Sequence, residues 1–267
     1  MSGQLSFSCE KLAKLIGTPT TPVLIDVRLE EDFLLDPRLL PASTRVDHLA
    51  WATVVPKLTG KFVVVICQRG AKLSQGFAAQ LRVAGIEAVS LAGGIEAWRA
   101  AGLPLVPVSA IPGTQWVTRQ RPKIDRIACP WLIRRFVDSG ATFLFVPTED
   151  VEGVAQRFGA TAFDMQTGFW THEGPLCTFD KMLNVFGLET PALLHLAKIV
   201  RAADTGRNED VPEAAGLLAI SLGLSRQHSD DLAQLEAGMA IYDALYRWCR
   251  DATDETHNWP TAKSQPT

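Results

Sequence analysis

The residue best suited to chemistry is Cys67, which directly follows the apolar run Phe62–Ile66. Such a β-branched run predicts a strand that is buried on both faces, and residues 72–83 have the apolar spacing of a helix. Cys67 would therefore lie at the carboxyl end of a strand, where ligands bind in open α/β sheets. Backbone N–H groups and the positive end of the helix would stabilise its thiolate as a nucleophile for sulfur or another soft electrophile.

The loop that follows Cys67 is the candidate anion-binding segment. Arg69 and Lys72 add positive charge, and Gly70 permits a tight backbone path. The residues that we expect to surround the substrate are Gln68, Arg69, Gly70, Ala71 and Lys72. The alternative is that Cys67 only ends a core strand, since unpaired cysteine is among the most buried residue types.

Strands and helices alternate in the first hundred residues, which predicts a parallel sheet with helices packed on it. Besides the strand before Cys67, strands are expected at Val23–Val27 and Ala88–Leu91, and a helix at Ile95–Ala101. Residues 102–113 contain three prolines and two glycines and suit an extended linker. The predicted division is a domain at 1–108, a linker at 109–114, a second domain at 115–253 and a flexible polar tail at 254–267.

Three motifs in order resemble the rhodanese family: Leu24–Arg28, the Cys67 loop, and Leu91–Trp98 followed by Gly102–Pro104. The resemblance implies that Cys67 takes sulfur from a small-molecule donor as a persulfide and passes it to a thiol acceptor, without a cofactor. It also implies that residues 67–72 are the active-site loop, and six residues is the length associated with sulfur transfer rather than with the related phosphatases. The sequence departs from the family at Leu39–Ser43, on the expected substrate-facing rim.

Two residues of the opening motif, Asp26 and Arg28, are expected to organise the fold rather than to perform chemistry.

The part of the chain after the linker reads as a mainly helical α+β domain. Short strands are expected at Thr142–Val146 and Thr161–Asp164. Thr190 and Pro191 are typical of a helix start, and Asp210–Glu213 resembles a capping box. A 3-4-3-4-3 spacing predicts one apolar stripe on a long helix, formed by Leu232, Leu235, Met239, Tyr242, Tyr246 and Cys249. The predicted fold class is an α/β rhodanese-like domain followed by this helix-rich domain.

The second domain resembles the C-terminal domain of chromate-resistance proteins of the ChrB type. The resemblance begins with an arginine- and aromatic-rich stretch, continues to about residue 251, and implies a link to chromate or oxidant resistance. Its segments are Gln115–Phe136, Ala162–Met165, His172–Asp180, Arg201–Asp204, Gly216–Ser225 and Tyr242–Tyr246. Regulators of that family carry an N-terminal region taken to bind DNA. Here the rhodanese-like domain stands in that place, the net charge is -3, and no helix-turn-helix pattern occurs, so we expect no nucleic-acid partner.

Six basic residues lie between Arg119 and Arg135. Forked guanidinium groups suit an oxyanion such as chromate or sulfate. The residues we single out as oxyanion ligands are Arg121, Lys123, Arg126 and Arg134. The alternative is a solvated basic face, or arginines paired with Asp164, Asp180 and Asp204.

The one candidate cofactor is a divalent metal ion in the second domain. His172 and Glu173 are candidates to join Asp164, Asp180 or Asp204, and imidazole with carboxylates suits zinc, manganese or iron. No fixed ligand spacing supports the full set, and Asp180 lies at an expected helix start that the helix dipole already explains. His172 and Asp204 are the ligands that we select.

Composition narrows the classes of protein. The five cysteines include no CxxC pair, which argues against a disulfide framework and a zinc finger. The chain shows no secretory signal, and no apolar run approaches the roughly 20 residues that span a bilayer. We therefore expect a cytoplasmic protein that does not interact with membranes.

Three hypotheses for function remain. The first is a sulfurtransferase that uses Cys67. The second is a binding module that senses an oxidant or oxyanion and is modified at Cys67 without turnover. The third is a chromate or arsenate reductase, which needs a resolving thiol near Cys67. No cysteine is close to it in the sequence, and Cys9 or Cys129 could approach it only through the fold.

Overall fold

The structure is a computed structural model that describes residues 5–207, 209 and 211–255. The N-terminal part is an α/β unit, and the C-terminal part joins a small sheet to a group of helices. The strands of the first part are β1 (Ser6–Phe7), β2 (Val23–Asp26), β3 (Arg38–Leu39), β4 (Ser43–Arg45), β5 (Phe62–Ile66), β6 (Glu87–Leu91) and β7 (Val106–Pro107). Its helices are α1 (Cys9–Leu15), α2 (Glu30–Leu35), α3 (Trp51–Leu58), α4 (Lys72–Val83) and α5 (Gly94–Ala100).

The first sheet has the strand order β1-β6-β5-β2-β4, and every neighbouring pair in it is parallel. Alternate residues of its central strands face opposite layers. Val63 and Val65 pack with Phe77 of α4, whereas Val64 and Ile66 pack with Trp98 of α5. The α/β fold expected from the apolar runs is confirmed, and α4 has the predicted bounds.

The segment interpreted as an extended linker is packed over much of its length. β7 pairs with β3 in an antiparallel ladder, and a 3₁₀ helix follows at Val108–Ala110. Leu105 and Val106 are buried. The connection between the two parts is thus held against the first domain rather than free in solvent.

The second part contains the parallel three-stranded sheet β10-β8-β9. Its strands are β8 (Gln115–Arg119), β9 (Thr142–Val146) and β10 (Thr161–Ala162). Its helices are α6 (Asp125–Leu132), α7 (Val151–Phe158), α8 (Thr178–Val185), α9 (Pro191–Thr205), α10 (Pro212–Gln227) and α11 (Asp231–Asp251). A π-helical turn at Ile133–Val137 continues α6. β9 has the predicted bounds. β10 is shorter than the predicted strand, because Phe163 instead forms an isolated bridge with Trp170 and Asp164 adopts a positive φ of 51°.

The predicted helix start and apolar stripe are both found. Thr190 caps α9 by accepting a hydrogen bond from the N–H of Leu193, with Pro191 as the first helical residue. The stripe on α11 is buried from Leu235 onward, but Leu232, in its first turn, is 50% exposed. α10 begins at Pro212 after Val211; Asp210 of the predicted capping box lies outside the described residues, as do residues 256–267 of the predicted tail.

The two parts share one hydrophobic core. The N–H of Ala42 donates to the carbonyl of Phe136, and a Cβ on Gly17 would lie within 2.9 Å of both Phe136 and Tyr246. Trp98 of α5 belongs to the same buried cluster as these aromatic side chains. Within the described residues, no helix combines the length and the apolar character that crossing a membrane requires.

Candidate functional site

Cys67 lies at the carboxyl end of β5 and is only 4% exposed. Its Sγ is 3.1 Å from the Oγ of Ser74, a fully buried residue in the first turn of α4. The Ser74 hydroxyl also lies 3.2 Å from the carbonyl oxygen of Ala71. It can therefore donate either to that carbonyl or to a thiolate. Sequence reasoning missed Ser74, although a serine on the same helix face as Phe77 and Leu81 was the available signal.

The backbone of the loop turns its carbonyl groups toward α5. The N–H of Ile95 donates to the carbonyl of Cys67 at 3.0 Å, and the N–H of Glu96 donates to that of Gln68 at 3.2 Å. Because the peptide unit is planar and trans, the next N–H in each case points away from α5. In the part of the chain that the structure describes, the N–H groups of residues 68–71 meet no acceptor. The N–H groups of Gln68 and Arg69 are therefore available to stabilise a negative charge at this end of β5.

Two glycines make this loop geometry feasible. Gly70 has a φ of +66°, and a Cβ there would lie 2.2 Å from the carbonyl oxygen of Leu91. A Cβ on Gly94, with a φ of +59°, would lie 2.2 Å from the carbonyl oxygen of Cys67. The loop therefore packs backbone to backbone against Leu91–Trp98, so two of the three motifs meet in space.

The charged side chains of the loop lie at its rim. Arg69 is 79% exposed, and its Nε is 3.5 Å from Oε1 of Glu96. The Gln68 amide donates to the same carboxylate oxygen at 3.1 Å, and Lys72 is exposed. Both cations thus lie at the exposed rim of the loop, where Arg69 also faces Glu96.

Asp26 and Arg28 form a buried ion pair at the carboxyl end of β2. The Nη2 of Arg28 is 2.7 Å from Oδ2 of Asp26, and both side chains are fully buried. Arg28 also donates to the carbonyl groups of Asp36 and Arg38. These contacts tie β2 to the segment that precedes β4, which is the structural role expected from the sequence.

The four residues expected to bind an oxyanion do not surround one site. Arg126 faces Asp164, with Nε 3.3 Å from Oδ2. Arg121 donates to the carbonyl groups of Ser225 and His228. Arg134 pairs with Glu236 at 2.5 Å, and Lys123 is half-buried. The arginines are therefore distributed among separate partners, and of the acids named in the alternative only Asp164 is among them.

Carboxylates from three separate segments converge on the imidazole of His172. Its Nε2 lies 3.5 Å from Oδ2 of Asp125, 3.4 Å from Oδ1 of Asp164 and 3.4 Å from Oδ2 of Asp204. Asp125 begins α6, Asp164 follows β10, and Asp204 lies in the last turn of α9. The structure thus brings together the two residues selected from the sequence and adds Asp125, which sequence reasoning missed. We name these four residues the His172 cluster.

Hydrogen bonds hold the buried carboxylates of this cluster in place. Asp125 accepts from the backbone N–H groups of Thr178 and Phe179, at 2.8 and 3.0 Å, at the start of α8. The hydroxyl of Thr178 donates to Asp164 at 3.3 Å, and Arg119 donates to Asp164 at 3.1 Å.

The crowding of charge changes the ionisation of the cluster. The carboxylate of Asp125, with further contributions from Asp164 and Asp204, raises the pKa of His172 to about 9. Burial, followed by the neighbouring carboxylates, raises the pKa of Asp204 to about 6. Burial and the charge of Asp125 also raise the pKa of Asp164. At neutral pH a protonated His172 therefore adds positive charge to that of the two arginines that face Asp164.

The other metal-ligand candidates point elsewhere. Glu173 pairs with Lys181 at 3.3 Å. Asp180 pairs with Arg201 at 2.5 Å and accepts from the N–H of Cys177 at the start of α8, which is the helix-start role expected of it.

The thiols of the second domain are poor candidates for a resolving cysteine. Cys129 and Cys177 are fully buried within the cluster of core residues around Trp131 and Phe179, and burial raises the pKa of each thiol. Cys9 is half-buried, and its Sγ donates to the carbonyl of Ala92 at 3.6 Å. Cys67 instead belongs to the separate apolar cluster on the α4 side of the first sheet.

Both halves of the chain match known protein families. Residues 116–249 match the family described as ChrB, C-terminal domain, and residues 8–101 match the rhodanese-like domain. Protein ChrB from Cupriavidus metallidurans is 38% identical over 135 residues, which cover 50% of this chain and 40% of that protein. The chain thus matches less than half the length of this curated relative.

Solved structures resemble the first domain. A rhodanese-related protein from Thermoplasma volcanium is 23% identical with a TM-score of 0.34, covering 39% of this chain and 98% of its own. A thiosulfate sulfurtransferase from Pseudomonas aeruginosa is also 23% identical with a TM-score of 0.34, covering 38% of this chain and 19% of its own. Since the ChrB C-terminal match spans half of the sequence, the chain belongs to the ChrB C-terminal domain family and carries a rhodanese-like domain before it.

Proposed function

We propose that this protein is a sulfurtransferase that moves sulfane sulfur through a persulfide on Cys67. The observation that carries the proposal is the position of Cys67, a buried thiol at the end of β5 that is followed by the N–H groups of residues 68–71, which have no backbone acceptor among the described residues. Oriented N–H groups and a helix N-terminus stabilise a thiolate and, after transfer, the terminal sulfur of a persulfide. The loop 67–72 has the six-residue length that the resemblance to rhodaneses associates with sulfur transfer.

The proposed reaction has two nucleophilic steps. The Cys67 thiolate attacks the outer sulfur of a donor such as thiosulfate, the sulfur–sulfur bond of the donor breaks, and sulfite leaves with the electron pair. An acceptor thiolate then attacks the outer sulfur of the persulfide, and Cys67 leaves as a thiolate. Each step exchanges one bond to sulfur for another, so the cycle requires no cofactor.

Ser74 has a positioning role in this proposal. Its hydroxyl lies 3.1 Å from Sγ of Cys67 and donates to the sulfur whenever the sulfur is anionic. Arg69 and Lys72, at the exposed rim, attract the anionic donor and favour its encounter with the loop.

We further propose that sulfur transfer serves resistance to chromate or another oxidant in the cytoplasm. The ChrB C-terminal domain on the same chain supports this role, and the free thiols suit a reducing compartment. The shared core around Phe136 and Trp98 supports a fixed relation between the sulfur-transfer loop and the second domain.

The test is turnover with thiosulfate as donor and cyanide as acceptor. The full-length protein should produce thiocyanate over many cycles, and Cys67→Ser should abolish production. Cys9→Ser is the matched control, because it removes a half-buried thiol of the same domain and should keep full activity. A single modification of Cys67 without turnover would favour the oxidant-sensing module, and no dependence on Cys67 would refute the proposal.

A further inference from the structure

We propose that Asp125, Asp164 and His172 together bind one divalent transition-metal ion, with Asp204 beside them and Zn²⁺ as the best match. The site lies entirely within the second domain, between α6, α9 and the segment before α8. It contains none of the residues around Cys67, so it is independent of the sulfur-transfer proposal.

Geometry is the first argument. The distances of 3.4–3.5 Å between Nε2 of His172 and the three carboxylate oxygens exceed the 2.7–3.2 Å range of N–H···O hydrogen bonds. They match the spacing of two ligands on one tetrahedral ion, since ligands at about 2.1 Å from such an ion, the usual Zn–N and Zn–O bond length, lie about 3.4 Å apart. Ligand atoms of Asp125, Asp164 and His172 all lie within 4.8 Å of one another.

Charge is the second argument. The side chains of Asp125, Asp164 and Asp204 are 1%, 8% and 22% exposed, and buried carboxylates are stable only when paired or metal-bound. Arg119 and Arg126 both face Asp164. Asp204 has only His172 as an ion-pair partner among the described residues, and it lies in the last turn of α9, where the helix dipole disfavours an anion. A divalent cation would compensate the charges of Asp125 and Asp204, the two carboxylates of the cluster that do not pair with an arginine.

The surroundings supply the support that a metal site needs. Thr178 and Phe179 fix the carboxylate of Asp125 through backbone hydrogen bonds, and Arg119 fixes that of Asp164. Such contacts orient ligands and strengthen metal binding. The side chain of His172 is 40% exposed, which gives an ion a path from solvent. Imidazole among the donors favours zinc over calcium or magnesium.

Zinc binding by the full-length, EDTA-treated protein tests this inference. We expect one Zn²⁺ per chain by elemental analysis, and X-ray absorption should show nitrogen and oxygen ligands at about 2.0–2.1 Å without sulfur. His172→Ala and Asp204→Asn should each weaken binding by at least about 10–100-fold. Circular dichroism shows whether each variant retains its fold. The X-ray absorption spectrum of the unaltered protein tests the inference even if a variant fails to fold.

Matched controls separate this site from other donors. Glu173→Gln removes the carboxylate next to His172 that pairs with Lys181, and His48→Ala removes an imidazole of the first domain; both should bind zinc as the unaltered protein does. Cys67→Ser should also bind normally, even if it lacks sulfur transfer. The inference would be overturned if zinc did not bind stoichiometrically or if the spectrum showed sulfur ligands. It would also be overturned if His172→Ala and Asp204→Asn both bound zinc as tightly as the unaltered protein.

Discussion

Replacing Gly70 by alanine tests the backbone packing that shapes the Cys67 loop. Gly70 has a φ of +66°, and an added Cβ would lie 2.2 Å from the carbonyl oxygen of Leu91 and 2.6 Å from the nitrogen of Gly93. Left-handed backbone costs a residue other than glycine about 1–2 kcal/mol, and forced overpacking adds about 1–3 kcal/mol. The expected loss of stability is therefore about 2–5 kcal/mol, with loss of sulfur transfer because the loop must shift.

Gly85→Ala is the matched control for this substitution. Gly85 follows α4 with a φ of +82°, but a Cβ there would meet nothing within 4 Å. It should cost only the conformational part, about 1–2 kcal/mol, and leave thiocyanate production intact. The stabilities of the two variants are compared through their urea unfolding midpoints. The comparison holds when the free energy of unfolding falls with urea concentration at the same slope in both. If Gly70→Ala were no more destabilising than Gly85→Ala and remained active, the described contact between the loop and Leu91–Trp98 would be wrong.

Three further predictions concern other parts of the fold. Ser74→Ala should slow sulfur transfer about 10-fold. A hydrogen bond to a charged group contributes about 1.5–3 kcal/mol, and the loss is at the low end because the hydroxyl can also donate to the carbonyl of Ala71. Unchanged single-turnover rates would show that Ser74 has no part in the mechanism. Arg28→Met should lower the free energy of unfolding by about 3–5 kcal/mol, because it leaves Asp26 as an unpaired buried charge; a change below about 1 kcal/mol in urea unfolding would contradict the buried pair. Burial raises the pKa of the thiols of Cys129, Cys177 and Cys249, that of Cys249 to about 11. Iodoacetamide at neutral pH should therefore alkylate these thiols only after the protein unfolds. Labelling of any of them in the native protein, detected by mass spectrometry, would contradict their buried environment.

Much of the first domain could be predicted because its signals are local. The run Phe62–Ile66 and the periodicity of residues 72–83 identify a strand and helix with the bounds found in the structure. Cys67 is placed between them by sequence order alone. The packing of β7 against β3 could not be predicted, because a two-residue pair depends on contacts between distant segments and leaves no periodic pattern.

The charged groups of the second domain show where sequence proximity misleads. Arg121 and Arg126 are five positions apart, but a positive φ of 55° at Arg121 and the start of α6 send their side chains to different partners. The His172 cluster shows the reverse case. Asp125 and Asp204 are 79 positions apart in the sequence, yet both face one imidazole. Only the packing of α6, α8 and α9 brings them together, so no spacing rule could have selected Asp125.

The central claim is that Cys67 carries the transferred sulfur, and intact-protein mass spectrometry tests it most directly. After incubation with thiosulfate, the unaltered protein should gain about 32 Da, the mass of one sulfur atom in a persulfide, and lose it when a thiol acceptor is added. Cys67→Ser should gain nothing, whereas Cys9→Ser should gain the same mass as the unaltered protein. An adduct that persists in Cys67→Ser, or no adduct on the unaltered protein, would contradict the account.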